Sequence, residues 1–153
     1  MRRLDQKDKK IINLLQENCE LNTKQIAHKI NLSTTPTYER IKRIEKEGFI
    51  TKKVALVNRK KVGKDLIVFC NISLKQHLMQ YLNEFEEKIK QLDQVMECHH
   101  VGGDYDYLLK IAVTDIDEYR DFLTKEFSNF NSISKINSLF VMKEICSKTA
   151  IKL

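Results

Sequence analysis

Residues 32–50 have the sequence LSTTPTYERIKRIEKEGFI, and this stretch decides the fold of the first half of the chain. Proline is favoured in the first turn of a helix, where its missing N–H costs nothing, so Pro36 predicts a helix start. Its ring disfavours helical backbone at the preceding residue, which makes Thr35 the preferred N-cap and Ser33 the alternative. Gly48 is a normal C-terminal stop. The stretch therefore predicts one helix that carries hydroxyl and cationic side chains.

Two more helices are predicted ahead of this one. Apolar residues recur at helical spacing over residues 5–18, and a short second helix covers residues 23–30. Asn31 follows, and Asn tolerates the left-handed backbone that a tight turn between crossing helices commonly needs. The small Ala27 suits the crossing point. This order predicts an N-terminal (winged) helix-turn-helix domain of three helices.

In such a motif the last helix enters the major groove of DNA. Small hydroxyl side chains at its start admit base edges, and Arg and Lys side chains reach phosphates or guanine. We therefore expect most of these polar side chains to be exposed, and an ordinary three-helix bundle with a cationic surface is the alternative. The residues predicted to contact DNA are Thr23, Ser33, Thr34, Thr35, Thr37, Tyr38, Arg40, Lys42 and Arg43.

The charge of the 153-residue chain is concentrated in its first half. Residues 1–65 contain 17 Lys and Arg against 8 Asp and Glu, a net of +9, whereas residues 66–153 contain 10 against 13, a net of −3. Such asymmetry favours a polyanion-binding module joined to a module with another task. No apolar run approaches the ~20 residues of a membrane span. The N-terminus is charged at once, so we expect a cytoplasmic protein without a membrane partner.

Residues 49–57 are rich in β-formers and predict a short strand that leaves the DNA module. Residues 58–65 are charged, and Gly63 among them permits a hinge. The predicted organisation is therefore a helix-turn-helix domain at 1–57, a linker at 58–65 and a second domain at 66–153.

The second domain has the order β-α-β-β-α-β, which is the ferredoxin-like arrangement. Its two helices would cover one face of the sheet, and dimerisation could bury the other face. The overall fold class is thus α+β. The predicted strands are Leu66–Leu74, Val95–Val101, Tyr105–Val113 and Ile136–Ile145, the helices are Leu78–Leu92 and Ile116–Phe127, residues 128–134 form a polar loop, and residues 149–153 add a short edge.

Catalytic and metal-binding patterns are weak. Neighbouring residues of a strand point to opposite faces, so His99 and His100 cannot chelate one ion together. Cys98 and His100 share a face, but two ligands do not make a metal site. His28 and His77 stand alone, and the four cysteines are far apart. No nucleophile elbow, phosphate-binding loop or zinc-protease motif is present. We therefore predict no enzyme, no metal and no cofactor, with a ferredoxin-like enzyme on a DNA tether as one competing hypothesis.

Three segments together resemble the Lrp/AsnC (feast/famine) family of transcription regulators, and they are most similar to its leucine-responsive branch. These are LDQKDKKIINLLQEN at residues 4–18, the stretch at 32–50, and ECHHVGGDYDYLLK at 97–110. The family usually has Gly where Asn31 stands and Thr or Ser where Gly102 stands. Further departures are Thr37 for an apolar residue, Ser132 for a Gly and Ile136 for a Thr.

The resemblance implies an amino-acid effector bound between dimers near residues 102–106, and dimers that assemble to tetramers or octamers. Glycine amides can bind an α-carboxylate, and a carboxylate can pair with an α-ammonium. The alternative is a plain hairpin turn followed by a solvated acid. The expected effector-binding residues are Gly102, Gly103, Asp104, Tyr105, Asp106 and Ser138.

The sequence thus predicts a transcription regulator that binds specific DNA sequences and responds to a small molecule through its assembly. A nucleoid-type architectural protein without a metabolite effector is the alternative.

Overall fold

The computed structural model describes residues 3–153. Met1 and Arg2, the start of the predicted first domain, lie outside the described residues. The contacts divide the chain into two compact units. The helical unit contains the residues up to Leu56 together with Ile145–Leu153, and the sheet unit is Val57–Glu144.

The helical unit consists of α1 (Gln6–Glu17), α2 (Thr23–Ile30) and α3 (Thr34–Lys46), close to the predicted bounds. The first two helices begin with capping boxes, in which Asp5 and Asn22 accept from the third backbone N–H while that residue's side chain accepts from the cap. Isoleucines and leucines from all three helices form its core, which contains Ile11, Ile12, Leu15, Ile26, Ile30, Ile41 and Ile44.

The turn between α2 and α3 is the predicted one, since Asn31 has left-handed backbone at φ 53° and ψ 58°. The prediction of Thr35 as the N-cap of α3 is wrong, however. The helix begins at Thr34, so Ser33 is the N-cap and Pro36 is the third helical residue. Proline is tolerated there because the N–H groups of a first turn have no partner inside the helix.

Two predicted strands are not formed. Residues 49–57 have no strand, because no neighbouring segment of the described chain offers them a hydrogen-bonded ladder. Residues 149–153 do not extend the sheet either, and instead lie against α1. The Gln16 side chain donates to the Ile151 carbonyl (2.8 Å) and accepts from the Ile151 N–H (2.7 Å). Both backbone groups of Ile151 thus bond to one amide side chain and not to a neighbouring strand.

The sheet unit has the predicted ferredoxin-like arrangement. Its antiparallel strands β1 (Leu66–Leu74), β2 (Val95–His100), β3 (Tyr107–Val113) and β4 (Ile133–Phe140) lie in the order β2-β3-β1-β4. Helices α4 (Met79–Ile89) and α5 (Ile116–Glu126) supply residues to the core on one side of the sheet. That core includes Val68, Cys70, Ile72, Leu109 and Ile111 from the strands, and Phe85, Ile89, Tyr119 and Phe122 from the helices.

Strand β4 begins three residues earlier and ends five residues earlier than predicted. Its ladder with β1 pairs Ser73 with Lys135 and Val68 with Phe140. An edge strand tolerates polar side chains, because only one of its edges and part of one face are covered. The polar residues that predicted a loop at 128–134 therefore overlap the start of this strand.

The opposite side of the sheet carries an open face, which we define by Phe69, Asn71, Leu108, Lys110 and Leu139. Phe69 and Asn71 alternate with core residues along β1. Lys110 and Leu139 pair with Phe69 on the neighbouring strands, and Leu108 pairs with Asn71, so all five side chains lie on the same face. Leu139 is 52% exposed. A single chain therefore leaves an apolar part of this face in contact with water.

Residues 58–65, the predicted linker, fall within the sheet unit. Arg59–Val62 form a 3₁₀ turn that ends at Gly63, whose φ of 76° suits glycine. The Lys64 ammonium lies 2.9 Å from Glu118. This ion pair, together with hydrogen bonds from Thr114, lowers the pKa of Glu118 to about 2.

None of the helices within residues 3–153 has the length and the apolar character needed to cross a membrane.

Candidate functional site

An exposed stripe runs along α3 and contains Thr34, Thr35, Tyr38 and Lys42. Thr34, Tyr38 and Lys42 are successive at four-residue intervals, so they lie one above the other on the helix. The Tyr38 side chain is 51% exposed, and the Lys42 ammonium lies 5.7 Å from the centre of its ring. The Lys42 ammonium also lies 3.2 Å from the Glu45 carboxylate, in a pair that water can reach. The stripe thus presents hydroxyls, an aromatic ring and a cation on one side of the helix.

Two more of the predicted DNA contacts lie at helix starts. Ser33 is exposed at the start of α3, and its side chain makes no capping hydrogen bond. Thr23, the first residue of α2, is partly exposed. The backbone N–H groups of a helix start attract anions such as phosphate. Both residues therefore lie where an anion can approach a helix start.

The expected exposure is wrong for Thr37. Its side chain is fully buried, at 0% exposure, and its hydroxyl donates to the Ser33 carbonyl at 2.9 Å. Thr37 follows Ser33 by one helical turn, so the intrahelical bond satisfies the hydroxyl inside the core. Thr37 consequently shapes the start of α3 and offers nothing to a ligand.

Arg40 and Arg43 do not project freely from the structure. Both bind Asp8, which sequence reasoning missed and which is only 2% exposed. Arg40 also binds Asp5 at 2.6 Å. The Asp8 N–H and then the Arg40 guanidinium hold the pKa of the Asp5 carboxyl below its usual range, and Asp5 and Asp8 in turn raise the pKa of Arg40. The sequence signal that could have revealed this cluster is the capping pair of acids at the start of the first helix.

The loop between β2 and β3 contains the residues expected to bind an effector. The Val101 N–H donates to the Asp106 carbonyl at 2.9 Å, so residues 102–105 form the tip of a hairpin. Gly103 has a φ of 139°, which side-chain-bearing residues rarely adopt, and a Cβ added at Gly102 or Gly103 would meet open space. The backbone of this tip is therefore open to close approach by a ligand.

Asp106 is fixed in place beneath this tip. Its carboxylate accepts from the Leu74 N–H at 2.7 Å and lies 2.8 Å from His77 Nε2. Burial raises the pKa of this carboxyl. The hydrogen bonds from the Leu74 N–H and His77 lower it, and together they outweigh burial, so the pKa lies below its ordinary value. Asp106 is thus a held carboxylate and not a solvated one, and His77 is a neighbour that its isolation in the sequence did not reveal.

The remaining expected ligand residues divide into two places. Asp104 is exposed at the tip, and the Tyr105 ring lies 5.4 Å from the Lys135 ammonium on β4. Ser138 is not part of this cluster, because it pairs with Cys70 further along the sheet and its hydroxyl contacts the Tyr119 hydroxyl at 2.6 Å. Tyr119 lines a separate groove of about 480 Å³ between α5 and β4.

Cys98, His99 and His100 have separate surroundings. Glu97 lies 3.4 Å from His99, and the His100 ring stacks on Tyr107 with centroids 4.8 Å apart. Within residues 3–153, no cluster of three or more His, Cys, Asp or Glu side chains is placed to hold a metal ion.

Comparison with protein families matches both units. The family model described as "Winged helix-turn-helix DNA-binding" matches residues 4–51, and the model described as "Lrp/AsnC ligand binding domain" matches residues 67–151. The two matches correspond to the exposed stripe of α3 and to the sheet that carries the hairpin loop.

Similar proteins of known function are bacterial transcription regulators. The chain is 32% identical to the DNA-binding transcriptional activator DecR of Escherichia coli K12, over 97% of each chain. It is 34% identical to the Bkd operon transcriptional regulator of Pseudomonas aeruginosa, over 98% of each. It is 33% identical to the leucine-responsive regulatory protein of Escherichia coli K12, over 93% of this chain and 87% of that one.

Solved structures give the same result. A regulator from Neisseria meningitidis, solved as a complex with L-Met, superposes with a TM-score of 0.93 at 28% identity, covering 97% of this chain and 96% of that one. An AsnC family regulator from Agrobacterium tumefaciens has the same TM-score and coverage at 34% identity. The chain therefore belongs to the Lrp/AsnC family, as a DNA-binding transcription regulator with a ligand-binding domain.

Proposed function

We propose that this regulator recognises specific double-stranded DNA through α3 and responds to an amino acid bound at the β2–β3 loop, by a change in assembly. The observation that carries the DNA part is the exposed stripe of α3. It combines small hydroxyl side chains at the helix start with a tyrosine and a lysine one turn apart. A regulator of this kind works on DNA in the cytoplasm and performs no chemistry of its own.

The DNA surface consists of Ser33, Thr34 and Thr35 at the helix start, with Tyr38 and Lys42 behind them. The hydroxyl groups are small enough for the backbone to approach base edges in the major groove. Lys42 extends toward a phosphate, and Thr23 lies at the start of the preceding helix for a second phosphate contact.

The effector surface consists of Gly102, Gly103, Asp104, Tyr105 and Asp106. The backbone N–H groups of the hairpin tip bind the α-carboxylate of an amino acid, and the Asp106 carboxylate pairs with its α-ammonium. Two supports favour this assignment: the open space around both glycines, and the fixed position of Asp106. The L-Met complex of the Neisseria relative is consistent with an effector of this class.

The open face of the sheet supports the assembly part of the proposal. Two copies related by a two-fold axis can cover this face, because the same surface serves both partners. Such dimers would associate further into tetramers or octamers, with the effector bound between dimers. An amino acid that binds one assembly more tightly than another then shifts the population between them.

A thermal-shift panel of the twenty amino acids tests the effector part. An amino acid present at one hundred times its dissociation constant adds about 2.7 kcal/mol of stability. We expect one chemical class to raise the unfolding midpoint of the wild type by several degrees. Asp106→Asn should lose this shift, because an amide keeps an acceptor for the Leu74 N–H but has no charge for the α-ammonium.

The matched control is Asp93→Asn, the same change at an exposed loop position of the sheet unit. It should respond to amino acids as the wild type does. A panel in which no amino acid moves the wild-type midpoint would contradict the amino-acid part of the proposal. An equal response from Asp106→Asn would remove Asp106 from the site.

A further inference from the structure

The two arginines of α3 lie on a different side of the helix from the exposed stripe. Arg40 follows Tyr38 by two residues, which is a rotation of about 200° around the helix. Arg43 follows Arg40 by three residues, so the two arginines share a side. When the stripe faces a DNA groove, Arg40 is therefore directed away from it, and Arg43 is on the flank.

The side that carries the arginines faces the start of α1. Arg40 Nη1 lies 2.6 Å from Asp8 Oδ1 and 2.6 Å from Asp5 Oδ2, and Arg43 Nη2 lies 2.6 Å from Asp8 Oδ2. Both oxygens of Asp8 are thus occupied by guanidinium groups. The same carboxylates form the capping box that begins α1, since Asp5 Oδ1 accepts from the Asp8 N–H at 2.8 Å and Asp8 Oδ2 accepts from the Asp5 N–H at 3.1 Å.

The burial of Asp8 makes these contacts difficult to exchange. Its side chain is 2% exposed, while those of Arg40 and Arg43 are 27% and 30% exposed. A guanidinium that turned outward to bind a phosphate would leave a buried carboxylate with fewer partners. Removing a partner from a buried charge is strongly unfavourable. The arginines therefore remain bound to Asp8 unless their contacts with DNA are more stabilising than the contacts with Asp8 that they would lose.

We infer that Arg40 and Arg43 are positioning residues, which fix α3 on the acid pair Asp5 and Asp8. Lys42, whose ammonium pairs only with the solvent-accessible Glu45 at 3.2 Å, is then a phosphate-binding cation of this helix. The inference rests on the proposed function for its DNA-binding part. It assigns to α1 a direct role in setting the orientation of the DNA-contacting helix. It also revises the sequence-based expectation that both arginines reach DNA.

Salt dependence separates a phosphate contact from a positioning role. Each phosphate neutralised by a cationic side chain contributes about −0.9 to the slope of log K against log salt. A residue that acts only by orienting the helix changes the affinity by the same factor at every salt concentration. The two roles therefore predict different slopes even where the loss of affinity at one salt concentration is equal.

The experiment measures fluorescence anisotropy of a labelled duplex over a series of KCl concentrations, with the full chain and three variants. Lys42→Gln should make the slope shallower by about one unit. Arg43→Gln should lower the affinity about tenfold at every salt concentration with an unchanged slope, at a temperature where circular dichroism shows it fully folded. Arg43→Lys should not restore the affinity, because an ammonium cannot reproduce the planar guanidinium contact with Asp8.

A slope made shallower by Arg43→Gln to the same extent as by Lys42→Gln would overturn the inference, as would full affinity in Arg43→Lys. If the wild type binds no duplex, the proposed function fails separately. A double-mutant cycle of Asp8→Asn and Arg43→Gln, measured by thermal unfolding, then tests whether the two side chains stabilise the fold as a pair. Strictly additive changes in the midpoint would overturn it, and a non-additive change would support it.

Discussion

Replacing Asp8 with alanine is expected to lower the free energy of unfolding of the helical unit by about 3 kcal/mol. The substitution removes the acceptor that Arg40 and Arg43 share, so Arg43 loses its carboxylate partner and Arg40 keeps only Asp5. It also breaks the capping box at the start of α1. The value is at the low end for a broken buried pair, because water can still reach about a third of each arginine. Urea denaturation monitored by circular dichroism measures the change.

Glu39→Ala is the matched control for this measurement. Glu39 is an exposed acid of α3 and forms no ion pair within the described residues. Its replacement should change the free energy of unfolding by less than about 0.5 kcal/mol. A loss below about 1 kcal/mol in Asp8→Ala would show that the acid cluster does not hold α3 in place.

Replacing Leu139 with glutamate is expected to weaken the proposed dimer by about three orders of magnitude. Leu139 pairs with Phe69 on the open face of the sheet and is 52% exposed in the single chain, so the chain itself can accept the change. In a two-fold interface the substitution occurs twice and places two carboxylates where apolar side chains meet. At about 2 kcal/mol each, the cost is about 4 kcal/mol, which corresponds to roughly a thousandfold in Kd. Light scattering over a dilution series measures the dissociation.

Ile116→Glu is the control, because Ile116 is 61% exposed at the start of α5 and does not belong to the open face. It should leave the dimer intact. A wild-type chain that remains at the 18.0 kDa of a single copy, or equal dissociation constants for wild type and Leu139→Glu, would contradict assembly through the open face.

Local signals predicted the bounds of several elements. Strand β1 and helix α2 have the predicted bounds, because one is a continuous run of β-branched and apolar residues and the other is bounded by caps. The left-handed backbone of Asn31 followed in the same way from the chemistry of a single residue. Such features depend on residues within a few positions of one another.

The errors concern structure that depends on distant partners. The β-rich residues 49–57 form no strand, because a strand needs a partner strand to hydrogen-bond with. The residues of the segment itself do not reveal whether such a partner is present. Thr37 looked like a surface hydroxyl, but the packing of three helices buries it. The same is true of the side-chain clusters around Asp8 and Asp106. Asp8 meets its arginines across 32 and 35 residues, and Asp106 meets Leu74 across 32. No periodicity or spacing within one element connects such positions.

The most direct test of the account is selection of binding sites by the purified chain from a library of random DNA duplexes. We predict enrichment of one pseudo-palindromic sequence with half-sites separated by about one helical turn, since a two-fold dimer presents two copies of α3. Thr35→Ala and Tyr38→Ala, which change the exposed stripe, should reduce that enrichment. Strong retention of DNA without any shared sequence would contradict specific recognition and favour an architectural protein that binds through charge and bending alone.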